Sequence, residues 1–278
     1  MSHHFAAFSF VDRITRLEPG AGAGAMFAVP EDLACFPACL VAEAVGQLAA
    51  WVAMSEIDFR GRPVAALATE TIFHDDVSPG SRLELAVEIE SLDDEAVAYG
   101  GSAHVDGARV IELRHCLGPM LPVQDFDAPD ALRERFRLLC TTGAPPGRFR
   151  GVAAPRLAAV QVEAAKSARA LLQVPRSAPF FADHFPRRPV FPATLLLDSQ
   201  IRLAMDLARA AIDSTNGTLL PQRMTNVKMR SFIEPGQEVV LGAEMVKAND
   251  RAGTVRLSAM IDERTVATAR LDIAARDR

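Results

Sequence analysis

An internal repeat constrains this chain more than any other feature. The turn Val77-Ser78-Pro79-Gly80 returns 156 residues later as Ile233-Glu234-Pro235-Gly236. At the same offset of 156, Ser102-Ala103-His104-Val105-Asp106 returns as Ser258-Ala259-Met260-Ile261-Asp262. A helix opening repeats as well, with Pro37 six residues before Glu43 and Pro192 six residues before Asp198. Self-similarity kept through helix, turn and hairpin implies two tandem copies of one fold, and 278 residues suffice for two small cores.

The first copy shows what each contains. Pro37 to Met54 reads as an apolar helix whose strongly polar side chains are Glu43 and Gln47, one turn apart on one face. Strand-like runs follow over 64–73, 81–92, 97–106 and 108–116, broken at Pro79-Gly80, Asp93-Asp94 and Asp106-Gly107. Long strands around one apolar helix predict an α+β unit, a curved antiparallel sheet wrapped on the helix. The predicted division is an N-terminal unit over 1–117, a linker over 118–155 with a short charged helix near 130–140, and a C-terminal unit over 156–278.

The second copy adds a loop. His184-Phe185-Pro186, Pro189 and Pro192 lead into an apolar helix from Ala193 to Ile212, interrupted by Asp198, Arg202, Asp206 and Arg209. Pro192 suits a first helical position, where its missing N–H is no loss. A histidine on such a loop and a carboxylate on such a helix are candidates for an acid/base pair.

This stretch resembles the signature of the β-hydroxyacyl-ACP dehydratases, hot-dog-fold enzymes that remove water from 3-hydroxyacyl thioesters. Their pattern is His-Phe-Pro, then proline, small residue and apolar residue, then Glu or Asp fourteen residues after the histidine; Asp198 stands fourteen after His184. Ala193 departs from the pattern, which usually has glycine there. Asp12-Arg13-Ile14 followed by Leu17-Glu18-Pro19-Gly20 resembles the opening segment of the same family. With the repeat, the resemblance implies a double hot-dog, a fused pseudo-dimer within one chain.

The halves are unequal. Glu18 to Glu43 is 25 residues, whereas Glu163 to Asp198 is 35, and the first half lacks the histidine loop. It keeps Glu43 and Gln47, which resemble the family's Glu-x-x-x-Gln helix; the second half has Arg202 at the glutamine position. Family sites take histidine from one protomer and acid from the other, so the resemblance implies one complete site: His184 as base, Glu43 as acid and Gln47 as its orienting partner. Asp198 then reads as a relic that Arg202 keeps ionised. Substrate contacts are expected from Phe185 and Pro192, from N–H groups at helix starts near Ala193 or Ala38, and from Arg187 and Arg188 at the site entrance. The arginines would meet an acidic carrier or a pantetheine phosphate.

The expected activity is dehydration of an acyl-carrier-protein or CoA thioester to the trans-2-enoyl product, with no metal or organic cofactor. A thioesterase on the same fold and a non-catalytic acyl-carrier-binding module are the alternatives. The net charge of −5 gives no electrostatic case for nucleic acid. No uncharged apolar run of about 18 residues is present, so no membrane span is expected. No secretory signal is evident, and Cys35, Cys39, Cys116 and Cys140 show no Cys-x-x-Cys spacing. Both point to a cytoplasmic protein with buried thiols. His3, His4, His74, His104 and His115 read as bystanders, and Trp51 and the phenylalanines as core or tunnel wall.

Overall fold

A computed structural model describes residues 7–145, 148–212 and 217–276. His3, His4, the N-terminal signal reading and the Pro146-Gly147 part of the linker lie outside them. The chain divides into two compact units.

The first unit comprises residues 1–66, 74–152 and 178–190. Its helix α1 (Ala38–Glu56) begins after Pro37 and packs on an antiparallel sheet. The strands are β1 (Arg13–Glu18), β2 (Gly22–Ala28), β5 (Arg82–Leu92), β6 (Ala96–Val105) and β7 (Ala108–Pro122), hydrogen-bonded in the order β1-β2-β5-β6-β7. The short β3 (Gly61–Pro63) pairs with β7, Arg62 opposite Leu121. By length and mean hydropathy of 1.5, α1 could cross a membrane. Ten of its residues are instead buried in the unit, including Val45, Leu48, Ala49 and Val52. The charged helix α2 (Pro129–Cys140) lies against α1, with Phe136 stacked on Trp51.

The second unit comprises residues 67–73, 153–177 and 191–278. Helix α3 (Ala193–Ala211) packs on the strands β4 (Leu67–Phe73), β8 (Leu157–Glu163), β9 (Ser167–Gln173), β10 (Thr218–Met229), β11 (Glu238–Ala248), β12 (Ala252–Ile261) and β13 (Arg264–Arg276), ordered β4-β10-β13-β12-β11-β9-β8, through all of them but β4.

The repeat is visible in burial. Leu83, Leu85 and Val87 turn inward on β5, and Val239, Leu241 and Ala243 turn inward on β11 at the same offset of 156. Alternation with a period of two is what a one-sided sheet requires. The preceding turns also match, since Gly80 and Gly236 adopt φ of +82° and +85°, a conformation glycine enters without strain.

The units depart from the division expected along the chain. Residues 67–73 join the second unit because β4 pairs with β10, Arg223 opposite Ile72. The histidine loop, 178–190, joins the first, where the Arg187 N–H bonds the Phe126 carbonyl at 3.0 Å. The expected linker begins inside β7, which runs on to Pro122, and most of it belongs to the first unit. The run expected as one strand over 64–73 is shorter: β4 begins at Leu67, and β3 ends before the run at Pro63. Of the four thiols expected to be buried, Cys39 and Cys116 are, Cys140 is half-buried and Cys35 is exposed.

Candidate active site

The first unit holds His184, Glu43 and Gln47 together. His184 follows a 3-10 turn (Pro179–Ala182), and its own N–H bonds the Phe180 carbonyl at 2.9 Å. Its Nδ1 lies 2.9 Å from the Val190 carbonyl. A carbonyl only accepts, so Nδ1 carries the proton and Nε2 presents its lone pair, the form a base needs. The ring is stacked on Phe185 at 4.1 Å and meets Phe8 edge-on at 5.6 Å. Burial lowers the His184 pKa below its ordinary 6.5; the Glu43 charge and the Val190 carbonyl oppose that shift, and the Arg62 charge reinforces it. The neutral imidazole is thereby favoured near neutrality.

Glu43 and Gln47 are half-buried on one face of α1. Gln47 Nε2 donates to Glu43 Oε1 at 3.0 Å and to the Phe8 carbonyl at 3.0 Å, while its Oε1 accepts the Phe10 N–H at 2.9 Å. The glutamine thus orients the Glu43 carboxyl and ties the N-terminal segment to the helix.

Asp183 does the same for the loop. Its Oδ2 accepts the N–H groups of Ala7 and Phe8 at 3.0 and 2.8 Å and the Ser9 hydroxyl at 3.2 Å. Arg62 is the other residue sequence reasoning missed. Its guanidinium lies 4.2 Å from the Phe185 ring centroid, and Nη1 is 3.7 Å from Asp127. Burial pulls its pKa down to about 10, with Asp127 opposing, so it stays charged near neutrality. No periodicity marks either residue; only the adjacency of Asp183 to His184 was a signal.

Phe185 is buried at 6% exposure, while Arg187 and Arg188 are exposed. Both arginines are nevertheless held: Arg187 Nη1 donates to the Gln124 carbonyl at 3.0 Å, and Arg188 lies over Phe126 at 5.8 Å. Ala38 and Ala193 are the first residues of α1 and α3, and no side chain caps either helix. Pro192 occupies the cap position, one before the expected first turn.

Asp198 belongs to the second unit and pairs with Arg202 at 3.4 Å, as the spacing suggested. The direction of its shift is opposite to the one the Arg202 pairing alone would give. Burial raises the Asp198 pKa above 3.8, and the Arg202 attraction only partly offsets it. Among the described residues no group of three His, Cys, Asp or Glu could hold a metal ion. His74 and His115 face Glu112 and Glu90, at 3.8 and 2.9 Å.

The fold is that of a double hot-dog. It resembles the tesB protein of Mycobacterium avium subsp. paratuberculosis, with a TM-score of 0.58 at 10% identity, over 95% of this chain and 96% of that one. A Lactobacillus plantarum protein proposed to be an oleoyl thioesterase gives 0.61 at 9%, over 92% and 97%. At such identities the likeness shows the fold alone. In sequence, residues 160–269 match the ApeI-like family, described as ApeI dehydratase. The 3-hydroxyacyl-[acyl-carrier-protein] dehydratase FabZ of Albidiferax ferrireducens is 32% identical over 118 residues, 41% of this chain and 79% of that protein. The corresponding enzyme of Pediococcus pentosaceus is 30% identical over 111 residues, 40% and 74%. The chain belongs to the FabZ-like dehydratase family.

Proposed function

We propose that this protein dehydrates 3-hydroxyacyl thioesters at one site built from His184 and Glu43, with Gln47 orienting the acid. The observation that carries the reading is the 2.9 Å contact of His184 Nδ1 with the Val190 carbonyl, in the same compact unit as a Gln47-held carboxyl. His184 Nε2 takes a proton from the α-carbon, Glu43 in its protonated form gives one to the departing 3-hydroxyl, and water leaves with the trans-2-enoyl thioester. Each turnover moves one proton from Glu43 to His184, and exchange with solvent restores both. N–H groups opening α1, at Ala38, meet the charge that develops on the thioester oxygen. Phe185 lines the acyl path. The carrier is acyl carrier protein or CoA, received at Arg187 and Arg188.

Incubation with a 3-hydroxyacyl-acyl carrier protein, followed by mass detection, tests this. Loss of one water from the acyl chain supports it. Release of free 3-hydroxy acid would instead make the protein a thioesterase, and an unaltered bound thioester would make it a carrier-binding module.

A further inference from the structure

Burying an arginine is expensive, and a buried guanidinium without full pairing calls for a reason. Arg62 has such an environment. Its side chain is 16% exposed, and Nη1 is buried with no hydrogen-bond partner among the described residues. The carboxylate it faces, Asp127, is divided: Oδ2 is 3.7 Å from Arg62 and 3.4 Å from Arg135, while Oδ1 accepts the Ala128 N–H at 2.9 Å. Two guanidinium groups therefore share one carboxylate in the protein interior. Arg62 thus lies beside the histidine loop with a divided counter-charge.

Resting on the dehydratase reading, we propose that Arg62 is a positioning residue for His184, packing the Phe185 ring that the imidazole stacks on and holding a fixed positive charge against imidazole protonation. The Phe185 ring touches both groups, at 4.1 Å from the His184 ring and 4.2 Å from the Arg62 guanidinium carbon. Phe126 meets the same ring edge-on at 5.2 Å, so Phe185 is held from a second direction. A planar guanidinium covers an aromatic face; a lysine ammonium would supply the charge without that contact.

The electrostatic effect has a definite sign. Glu43 on α1 and Arg62 on β3 act on His184, the first favouring imidazolium and the second opposing it. Asp127, Arg135, Glu43 and Asp183 act on Arg62 in turn, and the positive charge survives them because the Arg62 pKa stays at about 10. Removing that charge leaves Glu43 less opposed and moves His184 titration to higher pH. A larger share of the base is then lost to protonation at neutrality.

The test follows His184 directly. In nitrogen-15-labelled full-length protein, its ring signals are identified by their loss in His184→Gln and titrated in wild type, Arg62→Met and Arg62→Lys. Dehydration of a 3-hydroxyacyl thioester is measured alongside. Arg62→Met should shift the titration to higher pH and lower kcat/KM by about 10–100-fold, through loss of charge and alignment together. Arg62→Lys should restore the wild-type titration while the rate stays reduced. Should Arg62→Met fail to fold, Asp127→Asn serves instead: it leaves the guanidinium less neutralised and should shift His184 to lower pH. An unchanged titration in Arg62→Met, or equal shifts in Met and Lys variants, overturns the proposal. The titration needs no turnover, so a shift without dehydration would sink only the dehydratase reading. Dehydration with an immobile His184 titration would sink only the role of Arg62.

Discussion

Replacing Gln47 with methionine keeps the side chain's length and deletes its hydrogen-bonding groups. Three bonds go, to Glu43 Oε1, the Phe8 carbonyl and the Phe10 N–H, all partly buried. At about 1 kcal/mol each, and with the Phe10 N–H left short of a partner, the net loss should be about 2–4 kcal/mol. At roughly 2–4 °C per kcal/mol for a chain of this size, the apparent Tm should fall by about 4–16 °C. The acid also loses the donor that fixes its rotamer, so kcat should fall about 10-fold even at temperatures where the variant is fully folded. Circular dichroism melts and steady-state turnover of the same preparation measure both. A Tm within about 1 °C of wild type, with unchanged kcat, would show that Gln47 neither anchors residues 8–10 nor orients Glu43.

Three further outcomes follow from named groups. Burial raises the Asp12 pKa from 3.8 to about 6, against the Ala28 N–H that its carboxylate accepts. Between those values the folded state binds the extra proton, so stability is highest below pH 3.8 for this group and is lost as pH rises through 6; Asp12→Asn should flatten that stretch of a stability profile. The His184 pKa is lowered, so the acid limb of kcat/KM should lie below pH 6.5, and a limb above that value would argue against neutral His184 as the base. Arg187→Glu with Arg188→Glu should raise KM for a carrier-protein substrate and weaken its salt dependence, while a short pantetheine mimic is turned over as before; equal losses on both would indicate a damaged loop.

The repeat and the histidine loop were legible because both are written in local sequence. Proline punctuation, an apolar helix with two polar residues on one face, and alternating strands need no tertiary knowledge. Residues 38–56 and 193–211 accordingly form the expected helices, and Gln47 bonds Glu43 as its spacing allows. The supporting groups were not legible. Asp127 meets Arg62 across 65 positions, and Asp183 reaches back to residues 7–9 across about 175 positions. Pairing across such distances leaves no periodic trace. Unit boundaries were misplaced for the same reason: β4 follows its partner β10, and the histidine loop follows its contacts with residues 7–9 and 126. The direction of the Asp198 shift was missed because spacing reports a charged neighbour but not burial.

The choice between two acids is the sharpest test. The local motif alone nominates Asp198, whose raised pKa would suit a proton donor, whereas the comparison of the two halves nominates Glu43. Both can be neutralised without changing shape, and removal of a general acid typically costs about 10²–10⁴ in rate. Asp198→Asn should lose only its pairing with Arg202, worth a few tenths of a kcal/mol, about 0.2–0.5, for an i,i+4 pair. The measurement is kcat/KM for dehydration of one 3-hydroxyacyl thioester by wild type, Glu43→Gln and Asp198→Asn, each checked for an unchanged melt. A site built from His184 and Glu43 requires Glu43→Gln to be nearly inactive and Asp198→Asn to remain close to wild type. The opposite ranking would contradict it and give the acid's role to Asp198.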